Sequence, residues 1–327
     1  MMFSQVYRFI TVGAVATIAS IVGFSTAAQA QVKVDGSSTV FPITEAAAAA
    51  FQKSSGQKVT VGISGTGGGL KKFCNGETDI SNASRPILEK ELKLCKEKGI
   101  KFIEIPVAMD ALTVVVSPQN NWANNLTADQ LKKIWDAGST VKNWKEVDGS
   151  FPDAPLKLFG PGADSGTFDY FTEAINGKAK KSRTDYTGSE DDNVLVQGVS
   201  RDKNALGYFG FAYYQKNNRR LKAVKVNGVE PSLANVTNGS YRPLSRPLFI
   251  YVNADSAKNK QPVKSFVESY LNGASGFTSK VGYLPLIDQV YSVSKKHLSE
   301  GKTGTRFAGK EPTNLKMEDL VKMEPKD

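Results

Sequence analysis

Three short segments carry the residue types that can hold an oxyanion. "DGSSTVFPITEAAAAAF" puts Ser37, Ser38 and Thr39 ahead of Pro42 and a run of helix formers. "VGISGTGGGLKKF" packs five glycines into thirteen residues around Thr66. "GADSGTFDYFTEAI" sets Ser165, Gly166 and Thr167 before another helix-forming run. Each has Ser, Thr and Gly where a helix should begin. A helix N-terminus presents unpaired backbone N–H groups and the positive end of the macrodipole. Small hydroxyls add O–H donors there without crowding, and glycine lets the backbone itself approach an anion. For any one segment an ordinary N-cap accounts for the serine or threonine equally well. Three such starts in one chain could surround a tetrahedral dianion.

The remaining inventory narrows the chemistry. The one histidine, His297 in "SVSKKHLSE", sits among polar residues and reads as a surface residue. A Ser-His-Asp triad would need it beside an exposed serine, and no G-x-S-x-G occurs. One histidine and two cysteines make a zinc site hard to build. The glycine run is followed by Leu70 and lacks the G-K-[ST] of a Walker loop. These absences argue against an enzyme, and no cofactor or metal is expected. The formal charge of +10 suits an anionic ligand or partner. No basic-aromatic or recognition-helix pattern points to nucleic acid.

The elements that must position these segments follow from pattern. Arg8, the apolar run "FITVGAVATIASIVGF" and "STAAQA" read as an export signal over residues 1–30, cleaved after Ala30. An uncleaved anchor is the alternative, although the run is shorter than the roughly 20 apolar residues a spanning helix needs. The remaining length from Gln31 is ample for two compact lobes. Cys74 and Cys95 are the only cysteines, so in an exported chain a disulfide between them is expected, the alternative being two buried thiols. "VTVGIS", "LKLFG", "ALGYFGFAYY" and "LKAVKV" are strand-like. "LTADQLKKIWDAG" is a helix with Thr127 and Gln130 as a capping box and Gly138 as a stop, and "PVKSFVESYLNG" is another. Strands alternating with helices give an α/β chain with parallel or mixed sheets. Two long apolar runs, "FIEIPVAMDALTVVV" and "RPLFIYVN", read as strands that cross between lobes. The first lobe is then discontinuous, residues 31–109 and 250–327, with 110–249 as the second.

"GSSTVFPI", "GTGGGLKKF", "DISNASRPI", "DSGTFDYF", "LTADQLKKIWDAG…NW" and "GYLPL", in this order, resemble the phosphate-binding proteins of high-affinity phosphate ABC transporters. The resemblance spans nearly the whole chain after residue 30 and rests on the order of the pieces. It implies a type 2 periplasmic-binding-protein fold, two α/β lobes joined by a hinge with phosphate in the cleft. It also implies a periplasmic monomer that delivers phosphate to transmembrane permease subunits. A same-fold receptor for sulfate, molybdate or tungstate is the first alternative, and a phosphatase-like enzyme the second. By position the resemblance implies ligand contacts at Thr39 and Val40, with Ser38 beside them, at Thr66 in the glycine turn, and at Ser165, Gly166 and Thr167. Two positions depart. The family's aspartate in the "ASRP" segment aligns with Ser84, followed by Arg85, and the arginine expected four residues before Ser165 is Pro161. Arg85 is therefore the expected cation, able to hold a dianion by a bidentate pair of bonds. Asp164, ahead of Asp110, is expected to replace the missing carboxylate, with pairing to Arg85 as the alternative for Asp164. The acidic run Glu190 to Asn193 is either the first turn of a helix or a wall of the cleft.

Overall fold

The protein is described here from a computed structural model covering residues 1–2, 31–310, 315 and 317–327. The expected export signal and its cleavage point fall on residues 3–30, outside the described residues. The chain opens with β1 (Val32–Gly36), α1 (Phe41–Ser55), β2 (Val59–Val61), α2 (Gly65–Cys74), β3 (Ile80–Ala83), α3 (Glu89–Glu97) and the long β4 (Phe102–Val116). It continues through β5 (Asn125–Leu126), α4 (Ala128–Trp135), α5 (Trp144–Val147), β6 (Lys157–Pro161), α6 (Gly166–Asn176), β7 (Thr187–Ser189) and α7 (Asp192–Arg201). Next come β8 (Ala205–Gly210), α8 (Phe211–Lys216), β9 (Lys222–Ala223), β10 (Lys225–Val226), α9 (Leu233–Thr237) and β11 (Ser245–Asn253). Four helices close it, α10 (Ala254–Asn259), α11 (Gln261–Lys280), α12 (Asp288–Glu300) and α13 (Met317–Lys322). The fold is the expected α/β type.

β4 organises the molecule. All fifteen of its residues are buried, as its largely apolar pattern, broken by Glu104, Asp110 and Thr113, predicts for a strand covered on both faces. From Phe102 to Ala111 it pairs antiparallel with β11; from Leu112 to Val116 it pairs antiparallel with β8. One strand therefore runs through two sheet regions, β2-β1-β3-β11-β4 and β4-β8-β6-β7. β11 stays within the first region, pairing with β3 and β4.

The strand directions decide where helices begin. β1, β2 and β3 are mutually parallel and, through the antiparallel β11, run in the same sense as β4. β8 is antiparallel to β4, and β6 and β7 are parallel to β8. The carboxyl ends of β1–β3 therefore face the carboxyl ends of β6–β8 across the middle of β4. Ligands of open α/β sheets bind outside such ends. The chain turns there into α1, α2, α6, α7 and α8.

The glycine run is itself helix. α2 begins at Gly65, so four glycines lie inside its first turns. The glycines are required by approaching backbone. A Cβ on Gly69 would stand 2.4 Å from the Cα of Gly36 at the end of β1. The amide of Gly67 donates to the carbonyl of Asp164, at 2.8 Å. The Cys74–Cys95 disulfide ties the end of α2 to α3. The Thr127–Gln130 capping box is present at the start of α4. "ALGYFGFAYY" divides into β8 and α8, and α11 runs on past Gly273 to Lys280. No helix among the described residues is long and apolar enough to cross a membrane.

Candidate functional site

At the centre of the junction, three hydroxyl-bearing turns meet. Thr39, just before α1, lies 3.1 Å from Thr167 in the first turn of α6, Oγ1 to Oγ1. Thr66 in the first turn of α2 lies 3.1 Å from Ser84, which follows β3, and also accepts the Ser84 amide at 3.1 Å. Gly166 packs against that pair so closely that a Cβ would stand 2.4 Å from Thr66 Oγ1 and 2.6 Å from Ser84 Oγ. Ser38, Thr39, Val40, Thr66, Ser84, Ser165, Gly166 and Thr167 are all buried. The hydroxyls of Thr39, Thr66, Ser84 and Thr167 thus come from elements of both sheet regions.

Their separate roles differ. The hydroxyl of Ser165 caps α6 by accepting the Thr167 amide, at 3.1 Å, the ordinary duty of such a serine. Val40 is the N-cap residue of α1 and contributes backbone only. The carbonyl of Ser38 accepts the phenol of Tyr213 from α8, at 2.9 Å.

Arg85 does not play the expected part. It is fully buried, and its guanidinium forks onto Glu91 at 2.8 and 2.7 Å while Nε donates to Asp169 at 2.7 Å. Two carboxylates already balance its one charge, and Nη1 donates in addition to the Pro86 carbonyl at 3.0 Å. It is neither a surface residue nor the partner of Asp164. Asp164 is exposed; its backbone carbonyl, not its carboxylate, crosses to α2.

The cation among the hydroxyls is Arg246, on β11. Its Nη2 donates to Thr167 Oγ1 at 2.7 Å and to Thr39 Oγ1 at 3.3 Å, and its Nη1 donates to the Gly166 carbonyl at 2.9 Å. Nε and Nη2 reach Asp110 on β4 at 3.3 and 3.2 Å. Both partners of this pair are fully buried. Burial pushes the Asp110 carboxyl up to about 6, and Arg246 together with the Phe211 amide pulls against that rise. The signal for Arg246 lay in the sequence as a charged residue opening the apolar run "RPLFIYVN", matched by Asp110 interrupting the other apolar run. A charge inside a buried strand needs a partner.

Asp192, first residue of α7, lies within electrostatic reach of the Arg246–Asp110 pair. It is fully buried, with no side-chain hydrogen bond to either carboxyl oxygen; burial raises its carboxyl to about 7 while Arg246 and the backbone amide of Gly210 pull it down. The acidic run is a helix start, with Asp191 as the cap of α7 and Asp192 in its first turn. Tyr283 is fully buried with an unpartnered phenol, and burial raises it well above its ordinary value. Open depressions lie along 176–182 and, beside the turn that precedes α6, between Gly162, Phe168, Tyr186 and Glu190.

His297 is also corrected. It is buried in α12, with Nδ1 3.1 Å from Arg306 Nη2 and Nε2 3.6 Å from Glu324. Burial, then the charge of Arg306, pulls it below its ordinary value. Arg306 in turn pairs with Glu104, the other charge within β4.

This geometry agrees with relationships seen across the whole chain. Residues 24–271 match the PBP superfamily domain. Protein SphX of Synechococcus elongatus is 53% identical over 92% of this chain and 90% of its own. The phosphate-binding protein PstS of Staphylococcus saprophyticus is 37% identical over 83% of this chain and 85% of its own. The chain belongs to the SphX and PstS family of phosphate-binding proteins within the PBP superfamily. A solved structure of a possible phosphate-binding protein from Planctomyces limnophilus shares 47% identity at a TM-score of 0.62, covering 84% of this chain and 99% of that one. A putative phosphate ABC transporter substrate-binding protein from Clostridium perfringens, solved with bound phosphate, shares 29% identity at a TM-score of 0.68, covering 79% of this chain and 100% of that one. The type 2 binding-protein fold read from the resemblance is the fold of this family.

Proposed function

We propose that this chain is an exported receptor that encloses inorganic phosphate between its two sheet regions and delivers it to the permease subunits of an ABC transporter, acting as a monomer in the periplasm with no catalysis of its own. On this reading the signal is removed after Ala30. Residues 31–109 and 250–327 form one lobe, and residues 110–249 form the other. The hinge lies where β4 changes partner, at Ala111 and Leu112, and where the chain returns at Leu244, whose carbonyl accepts the Leu112 amide. Thr39, Thr66, Ser84, Gly166 and Thr167 hold the phosphate oxygens with the helix N-termini behind them, Ser38 and Val40 supply flanking backbone, and Ser165 secures the α6 turn.

The observation that carries the proposal is Arg246. A buried guanidinium donates to hydroxyls from two facing helix starts, Thr39 and Thr167. Donors converging on one point from both regions, with a fixed cation among them, fit a tetrahedral anion. Calorimetry with phosphate and sulfate tests the function. The wild type should bind phosphate in preference to sulfate and release no phosphate from ester substrates. Arg246→Lys keeps the charge that Asp110 needs but loses the planar fork. Each charge-assisted bond lost costs about 1.5–3 kcal/mol, so the dissociation constant should rise at least tenfold. A change under threefold would remove Arg246 from the site, and an absence of phosphate binding by the wild type would remove the function.

A further inference from the structure

The turn that precedes α6 crosses to the other sheet region beside the hydroxyl cluster. The amide of Gly67, in the first turn of α2, donates to the carbonyl of Asp164 at 2.8 Å. A first-turn amide has no partner within its own helix, and this one is satisfied from across the seam. Thr66 and Gly166, which pack together next to this bond, are buried, whereas Gly67 is half-buried and Asp164 exposed. The Asp164–Gly67 bond therefore lies at the outer rim of the cluster. Little packing holds the turn itself. Ala163 and Asp164 are exposed, and an open depression borders Gly162 and Ala163. Polar contacts from its own region set its position. The Gly162 amide donates to the Ser189 carbonyl at 3.1 Å, and Lys180 Nζ donates to the Ala163 carbonyl at 2.7 Å. Glu190, between β7 and α7, accepts the Asp164 amide through Oε1 at 3.0 Å. Its carboxylate lies over Gly162, where a Cβ would come within 2.2 Å of Oε1, and reaches toward α2, where a Cβ on Gly65 would stand 2.9 Å from Oε2. Burial raises the Glu190 carboxyl above its ordinary value, and the Asp164 amide is the largest pull against that rise.

We propose that Glu190 is a positioning residue for ligand retention: it holds the N–H of Asp164 so that the carbonyl of the same residue clasps Gly67 when the two regions meet, and this clasp slows release of the bound oxyanion. This rests on the oxyanion reading of the cluster. Gly67 follows Thr66 directly, so the regions cannot part at Thr66 and Gly166 without breaking the Asp164–Gly67 bond. The clasp is absent from the open form. It adds to the work of opening and leaves the first encounter with the ligand unchanged, so its loss falls on the dissociation rate.

The test compares wild type with Glu190→Ala, Glu190→Asp and Glu190→Gln, none of which alters a group proposed to hold the ligand. Phosphate dissociation constants come from calorimetry and release rates from phosphorus NMR exchange. Glu190→Ala should raise the release rate and the dissociation constant together by about threefold to tenfold, the worth of an ordinary hydrogen bond, with the association rate unchanged. Glu190→Asp keeps the charge but is one methylene too short to reach the Asp164 amide, so it should behave like the alanine variant. Glu190→Gln keeps an oxygen acceptor for that amide and places its NH2 where Oε2 has no hydrogen-bond partner, so its release should stay within about twofold of wild type. Wild-type release rates in the alanine and aspartate variants overturn the proposal. Affinity lost through slower association overturns it as well, because Glu190 would then shape the open form. A glutamine variant as fast as alanine would assign the effect to charge and overturn the clasp. If the wild type gives no phosphate signal at all, the oxyanion reading has failed and the clasp with it, an outcome distinct from unchanged release.

Discussion

Asp110 and Asp192 show what one buried cation can and cannot do for its neighbours. Asp110 has both arginine contacts and the Phe211 amide, and burial still raises it to about 6. Asp192, which has the charge of Arg246 nearby but no regular hydrogen bond to it, is raised to about 7. A carboxyl raised on folding holds its proton in the native state over a window where the unfolded chain has lost it. Its stabilising contribution is complete below its ordinary value of 3.8 and is lost as pH rises through about 7. The unliganded protein should therefore lose stability across that window. His297, pulled down, works in the opposite sense below 6.5. The difference between Asp192→Asn and wild type isolates the aspartate, because the common groups cancel. The melting temperature of the variant should match wild type near pH 4 and exceed it increasingly up to about pH 7, by an advantage on the order of a few kcal/mol. A constant difference across pH, measured by thermal unfolding in phosphate-free buffer, would place the carboxyl in solvent instead.

At the scale of elements, the glycine run shows why a motif can be legible while its reason is not. Gly69 belongs to α2, where glycine costs about 1 kcal/mol relative to alanine, so an alanine would be favoured if only the helix mattered. It would instead drive a methyl group to 2.4 Å from the Cα of Gly36 and 3.1 Å from the carbonyl of Asp35. Backbone cannot move aside as a side chain can. Gly69→Ala should therefore destabilise the protein by about 1–3 kcal/mol, the usual cost of overpacking, and denaturant melts giving a stabilised variant would contradict this packing. Similar reasoning separates what the sequence made readable from what it hid. β4 was legible end to end because fifteen buried residues leave a long, largely apolar run with Glu104 and Asp110 as its charged exceptions. The three hydroxyl helix starts were legible because local spacing alone defines them. Arg246 was not, because its partners Thr39, Asp110 and Thr167 are 207, 136 and 79 residues away and only the sheet brings them together. Arg85 misled for the complementary reason. It follows Ser84, which does reach the cluster, but its own side chain turns to Glu91 six residues on and to Asp169 on α6.

The same Arg85 acquires a role at the scale of the whole molecule. It is fixed to the first sheet region by its fork onto Glu91, and its remaining Nε bonds Asp169 of the second region at 2.7 Å with both groups fully buried. Ser84 and Gly166, each within three residues of this pair, belong to the proposed ligand cluster. On the proposed closure, parting of the two regions would open the Arg85–Asp169 bond to water, while closing them buries it. The bond then contributes only to the closed form, and a ligand that favours closure gains its help. Asp169→Asn removes the carboxylate yet leaves Arg85 its pair with Glu91 and touches none of the hydroxyls proposed to hold phosphate. Breaking a buried pair costs as much as about 3–5 kcal/mol when a charge is stranded, and less here because Glu91 remains. The variant should bind phosphate roughly tenfold or more weakly, and small-angle scattering should find it more expanded than wild type at equal subsaturating phosphate. Because a ligand shifts an equilibrium only by its preference for one state, saturating phosphate should restore the compact form in both proteins. Unchanged affinity would mean that the Arg85–Asp169 bond persists when the regions part, and so that the hinge at Ala111 and Leu112 does not carry them apart along this seam.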